Sequence, residues 1–287
     1  MMELWQIEII REIQRFRGPF TDSFFLALNF FDTLEFFFIL IPTVWLLAGW
    51  KVGLRFFYLM VASGLLNFHC KEFFSLHRPV YFAPELAMVK TKTFGFPSGA
   101  AQTAIIFSGL LISYLSKYRG IFAALLYTLL ISFSRIYLGV HFFTDILGGW
   151  VLGSSLWLLY SYFQSRYTNY IETASPYVLA SAHLLLFIAL LAGGAHTHFC
   201  LLAIGVGLGL AILTRLGGEE KIPSTPGQRI GILAWGLGGM MVIELINAAV
   251  LSSLGDWARI VHFIILGIWL CIAGRIWANF QVARDAV

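Results

Sequence analysis

Ser134-Arg135-Ile136-Tyr137-Leu138-Gly139-Val140-His141-Phe142-Phe143-Thr144-Asp145 lies between two strongly apolar runs, at about 119–137 and 142–163. A guanidinium, an imidazole and a carboxylate are thereby set at the rim of a membrane. Ionisable groups are costly at that depth and mark function by default. If the residues from His141 onward are helical, His141 and Asp145 are four apart and share one face. The carboxylate can then hold one imidazole nitrogen and leave the other free to attack. A purely structural histidine is the plain alternative, and the presence of Arg135 and Asp145 at this spacing weighs against it.

Working outward, apolar runs of nearly the same length recur through all 287 residues, with 59% hydrophobic and 12% charged residues. That excludes a soluble domain and predicts an all-α, polytopic membrane helix bundle. About nine spans are expected, near 33–49, 53–76, 99–116, 119–137, 142–163, 177–193, 197–214, 229–252 and 259–280. The polar stretch Gln164 to Pro176 is the natural seam. The expected division is therefore an interfacial or re-entrant segment over 1–32, a catalytic helix bundle over 33–165, and a four-span extension over 166–287. Trp5, Ile9, Ile13 and Phe16 share one helical face, which suits either a helix in the interface or one packed on the bundle. Phe20 to Phe31 is too short to span and carries Asp22. Charges interrupt Met1 to Arg17 where the apolar core of a cleavable signal would lie.

The net charge of +4 is spread one or two residues per loop, so no nucleic-acid partner is expected. Cys70, Cys200 and Cys271 fall in apolar segments without metal-ligand spacing and read as buried filler. With alternating loops, one side collects Lys51, Arg55, Lys117, Arg119, Arg166, Arg215, Lys221, Arg229 and Arg284. With Lys71, Arg78 and Arg135 set aside from the other side as candidates for the chemistry, this side is the more basic and is expected to be cytoplasmic. The opening stretch then faces outward, as for a protein of a bacterial inner membrane.

Two further pieces fall on the outward side. In the first, Lys71 and Arg78 are seven apart, on one helical stripe that Pro79 ends. The second, Phe96-Pro97-Ser98-Gly99-Ala100, opens the third span, where free backbone N–H groups and a hydroxyl can receive an anion. Fixed cations, a helix N-terminus and an oriented histidine suit a phosphate monoester or diphosphate. Arginine grips phosphate bidentately and lysine as a point charge. No carboxylate or histidine cluster offers metal ligands, so neither a metal nor another cofactor is expected. Singly, each piece is ordinary: basic residues often anchor spans, and Pro-Ser-Gly is a common turn.

Together, Lys71-x6-Arg78-Pro79, Pro97-Ser98-Gly99 and Ser134-Arg135-x5-His141-x3-Asp145 resemble the type 2 phosphatidic acid phosphatase superfamily. That superfamily also holds undecaprenyl-diphosphate phosphatases and is similar in its site to vanadium haloperoxidases. The resemblance covers roughly residues 20 to 165. It implies a helical bundle and metal-independent phosphoryl transfer through a phosphohistidine on a lipid phosphate or polyprenyl phosphate. By that resemblance His141 is the nucleophile and Asp145 its partner. Lys71, Arg78, Arg135, Ser98 and the Gly99 amide bind the phosphoryl oxygens.

The family's second motif ends in histidine, the acid for the leaving group; here Ala100 stands in that place. General acid catalysis is typically worth about 10²–10⁴-fold. Three accounts stand open: a deliberate inactivating change, a natural enzyme for lipid diphosphates, or a protein that binds or transports a lipid phosphate without turnover. In the second account the leaving group needs less protonation, or His77 supplies the proton. Phosphotransfer to a second lipid is a further alternative to hydrolysis.

Beyond the resemblance, Gly205, Gly207, Gly209, Gly231, Gly236, Gly238 and Gly239 make smooth helix surfaces for close packing. Glu244 with Asn247 is a polar pair within a span, read as an interhelical hydrogen bond ahead of a lipid-head or partner site. His69, His183 and His262 read as structural, and His196-x-His198 lacks further ligands for a metal.

Overall fold

The computed structural model describes residues 2–173, 175–192, 197–215, 222–250 and 255–285, and the described residues contain helices and no strand. Eleven α-helices follow in order: α1 (Met2–Gln14), α2 (Pro19–Leu28), α3 (Leu34–Ala48), α4 (Trp50–Phe74), α5 (Gly99–Tyr114) and α6 (Lys117–Tyr137), then α7 (Phe143–Thr173), α8 (Pro176–Ala192), α9 (Thr197–Arg215), α10 (Pro226–Ala249) and α11 (Asp256–Asp285). A single 3₁₀ turn, Asn29–Asp32, joins α2 to α3.

A helix occupies each of the nine expected stretches, but the count of nine spans is not met. Among the described residues, five segments are long and apolar enough to cross a membrane: Trp50–Tyr81, Lys117–Tyr137, Phe143–Gln164, Pro226–Ala249 and Trp257–Gln281. A sixth arises if Pro19–Asp32 and Leu34–Ala48, bent by 59°, act as one broken span. Of the others, α5 has 16 residues, against about 20 needed to cross.

The chain divides into two compact units, residues 1–37 with 59–166, and residues 38–58 with 167–287. In the first, α1 packs over the ends of the other helices. The expected face of Trp5, Ile9, Ile13 and Phe16 is not the one it buries: Trp5 and Phe16 are exposed, while Gln6, Ile7 and Ile10 are buried. Ile7 and Ile10 join Ala83, Leu86, Ala101, Ile136, Phe142 and Ile146 in one core cluster. Gln14 then donates to the carbonyls of Leu86 and Tyr137, both at 2.8 Å. Polar residues thus sit on the buried side because unpaired loop carbonyls need donors there, and apolar periodicity alone cannot register that need. The segment Pro19–Leu28 is pinned to α6, where Tyr137 donates its hydroxyl to Asp22 at 2.6 Å and stacks on Phe25.

In the second unit, α9 packs on α8 and α11, and α10 on α11. The expected glycine contacts are made within this unit: a Cβ on Gly205 would meet the Ile264 backbone at 2.4 Å, and one on Gly239 the Trp269 ring at 2.2 Å. Trp269 and Trp235 donate their indole N–H groups to the carbonyls of Gly236 and Ala273. Glu244 reaches across to His262 on the next helix at 3.3 Å. His196 of the His196-x-His198 motif lies outside the described residues.

Candidate active site

Four helix ends converge in the first unit, the last turns of α4 and α6 and the first turns of α5 and α7. Lys71 comes from the end of α4, Arg135 from the end of α6, and Asp145 from the first turn of α7. Arg78 precedes the short turn Pro79–Tyr81, and His141 lies in the connection between α6 and α7. Gly139 makes that connection possible. It has φ +67°, and a Cβ there would strike the Leu86 carbonyl at 2.2 Å, so only glycine fits. Two helix N-termini, those of α5 and α7, present their positive ends to this region and favour an anion.

The expected partnership of His141 and Asp145 is present as geometry. His141 Nδ1 and Asp145 Oδ2 are 3.1 Å apart, and the same oxygen accepts the Phe142 backbone N–H at 3.0 Å. On the ring's other side, Arg78 Nη1 stands 3.1 Å from His141 Nε2 and also donates to the Val140 carbonyl at 2.8 Å. A guanidinium has no lone pair to offer. Nε2 must therefore be the unprotonated nitrogen, which makes Nδ1–H the donor to Asp145. Burial, followed by the charges of Arg78, Lys71 and Arg135, holds His141 well below the usual imidazole pKa. It is thus a neutral base with its lone pair aimed among cations.

Lys71, Arg78 and Arg135 are all buried. Lys71 Nζ donates to the carbonyls of Phe94 and Gly95, at 2.7 and 3.0 Å. Arg78 is braced by Thr93, donating from Nε to its carbonyl at 2.7 Å and from Nη2 to its hydroxyl at 2.9 Å. Arg135 donates from Nη1 to Asn29 Oδ1 at 2.9 Å and Asp32 Oδ2 at 3.1 Å. Its Nη2 is buried and, among the described residues, has no hydrogen-bond partner. A buried donor left unpaired is rare and costly, and a phosphoryl oxygen would satisfy it.

Ser98 and Gly99 sit where expected but serve partly as scaffold. The Ser98 N–H is already given to the Asp145 carbonyl at 2.9 Å, and its Oγ caps α5 by accepting from Ala101 N at 3.4 Å. The hydroxyl proton of Ser98 is what that residue retains for an anion. Gly99 lies against Asn67, whose amide donates to the Pro97 carbonyl and to Gln102 Oε1. Ala100 is buried with Ala104 and Ile131, and Leu28, Phe31 and Tyr127 pack on that cluster. His77, considered as an alternative acid, is exposed and stacks on Tyr81 with ring centroids 4.5 Å apart.

Several site residues escaped the sequence reading: Asn29, Asp32, Thr93 and Gly95. A Cβ on Gly95 would approach Asp145 Oδ2 to 3.0 Å and Arg78 Cγ to 3.4 Å, so the loop can close on the pair only with glycine there. Asp32 had one visible signal, an acidic residue amid aromatic ones.

An apolar groove of about 430 Å³ lies in the same unit, lined by residues that include Cys70, Phe74, Phe96, Leu147, Val151 and Leu152. Cys70 is thus part of a groove wall and only half-buried. Each wall is a chain neighbour of the site: Cys70 precedes Lys71, Phe96 is two residues from Ser98, and Leu147 is two from Asp145.

The PAP2 superfamily pattern matches residues 52–169, which contain all three motifs. Residues 52–169 belong to the PAP2 superfamily. Phosphatidylglycerophosphatase B of Bacillus subtilis is 34% identical over 123 residues, 40% of this chain and 59% of that protein. Lipid phosphate phosphatase delta of Arabidopsis thaliana is 25% identical over 201 residues, 63% of this chain and 48% of that protein. The chain thus spans about half of the curated relatives' lengths. Among solved structures, the transmembrane PAP2 type phosphatidylglycerolphosphate phosphatase from Bacillus subtilis superposes with a TM-score of 0.50 at 26% identity, covering 57% of this chain and 87% of that one. The PAP2 architecture and the apolar helices together make this an integral membrane protein.

Proposed function

We propose that the protein is a metal-independent lipid phosphate phosphatase that works through a phosphohistidine on His141. The observation that carries this is the imidazole's setting: Nδ1–H on Asp145, the Nε2 lone pair turned toward Arg78, and Lys71 and Arg135 buried in the same site. Nε2 attacks phosphorus as the bond to the lipid oxygen breaks, and the three cations neutralise the charge spreading over the equatorial oxygens. Asp145 stabilises the imidazole as it becomes cationic. Water then attacks the phosphohistidine, the P–N bond breaks, and its electron pair returns to Nε2. The cations do the work a metal would do elsewhere.

The groove beside the site supports a lipid substrate, because a headgroup among the cations leaves its chain beside Phe74, Phe96 and Val151. The relatives' names support a phosphorylated lipid. Lys117, Arg119 and Arg166 lie at the far ends of α6 and α7 from the site. By the positive-inside rule this supports an outward-facing site, as in a bacterial inner membrane.

Purified protein supplied with lipid monophosphates and diphosphates should release phosphate, and His141→Ala should lower the rate by at least about 10³-fold. A second reading, a lipid-phosphate binder without turnover, is favoured by Ala100, whose methyl group has no proton to give. Tight lipid binding with no phosphate release, unaffected by His141→Ala, would sustain the binder and sink the enzyme. Label appearing on a second lipid instead of in solution would indicate phosphotransfer.

A further inference from the structure

The structure assigns a catalytic role to Asp32: its carboxyl, held on Arg135 at the edge of the cation cluster, delivers the leaving-group proton that Ala100 cannot. This rests on the phosphatase reading above and deepens it.

Three observations carry it. Asp32 Oδ2 lies 3.1 Å from Arg135 Nη1, the guanidinium whose other terminal nitrogen is buried without a partner among the described residues. An oxyanion bound at that nitrogen therefore shares one guanidinium with the Asp32 carboxyl. Besides Arg135, the charges of Arg78 and Lys71 act on the carboxyl, so it lies within the field of all three cations proposed to hold the phosphoryl group. Finally, the segment bearing it is seated beside the vacated position: Leu28 and Phe31 pack on the cluster that contains Ala100, and Asn29 next to them also binds Arg135 at 2.9 Å. Where the motif's histidine is replaced by a methyl group, a carboxyl from another element stands nearby.

The chemistry closes without any further reactant. An arriving phosphoryl dianion sets like charge beside the carboxyl and favours its protonated form. As His141 Nε2 forms its bond to phosphorus, the P–O bond to the lipid breaks. The departing oxygen keeps that electron pair and takes the proton from Asp32. In the second half the Asp32 carboxylate accepts a proton from the attacking water, and orthophosphate leaves as the P–N bond breaks. Asp32 is then protonated again, as required for the reverse exchange of roles. Its side chain is 35% exposed, so water reaches it, whereas His141 and Asp145 are 4% and 3% exposed.

The test compares two leaving groups in the full-length protein and in Asp32→Asn, which keeps the side chain's shape and an oxygen for Arg135. The substrates are an aliphatic lipid monophosphate, whose alkoxide needs a proton, and p-nitrophenyl phosphate, whose phenolate departs without one. In single-turnover measurements, which read only the first half of the reaction, Asp32→Asn should slow release of the lipid alcohol by about 10²–10⁴-fold and leave release of p-nitrophenolate within about tenfold. That second activity also reports that the variant is folded. Equal losses on both substrates would reduce Asp32 to a positioning residue for Arg135 and overturn the proposal, and so would no loss on either. An unsubstituted protein inactive on both would defeat the phosphatase reading itself, and this inference with it.

Discussion

Near pH 6.5 an exposed histidine is half-protonated, whereas His141 has its pKa held well below that value. Burial comes first among the causes, and Arg78, Lys71 and Arg135 add to it. The consequence for stability has a definite sign. Below about pH 6.5 an unfolded chain protonates this imidazole, while the folded protein does not. The unfolded state then binds more protons, so stability is complete above that pH and declines as the pH falls below it. The thermal midpoint in detergent should therefore drop between pH 7.5 and pH 5, and His141→Gln should show a smaller drop. An unchanged difference in the variant would mean that His141 is not held neutral. In the proposed mechanism the same arithmetic keeps His141 available in mild acid, because neutral imidazole is the attacking form.

At the scale of elements, α7 shapes both the catalytic pair and the groove. Its first turn carries Asp145, and on the next turn Gly148 lies under Phe96, where a Cβ would come within 2.3 Å of the ring. Gly149 and Gly153 let the helix approach the backbone of α5, with a Cβ on each meeting the carbonyls of Ser98 and Gln102 at 2.5 Å. The smooth face of α7 thus brings its Asp145 against the Ser98 amide. Further along, Leu147, Val151 and Leu152 line the groove. Filling it with Leu152→Trp should cut kcat/KM for a long-chain lipid phosphate by about tenfold or more and spare a short-chain phosphate. Equal loss on both would show that the lipid chain does not lie there.

For the whole molecule, orientation is the property that links the helices to a biological setting. Lys90, in the exposed loop between α4 and α5, belongs to the site end, and Lys117 opens α6 at the other. In a cysteine-free background, a membrane-impermeant maleimide should label Lys90→Cys in intact cells and Lys117→Cys only after permeabilisation; the reverse pattern would place the site inside. Much of this architecture was legible beforehand. Helical stretches announce themselves by apolar runs, and His141 and Asp145 are near enough in sequence to meet, although His141 stands in the connection just before the helix that carries Asp145. Lys71, Arg78 and Arg135 were visible as charges that a membrane would not tolerate without use. Packing decided the rest. Asp32 and Asn29 reach Arg135 across 103 and 106 residues, a distance over which no local period carries information. The buried face of α1 was likewise set by the Leu86 and Tyr137 carbonyls it had to satisfy. By itself, then, the sequence determined the helices, the three motifs and the histidine–carboxylate register, because each is written within a few residues. Only the tertiary structure decided which carboxyl stands beside Arg135, because that depends on where a turn 103 residues away is seated.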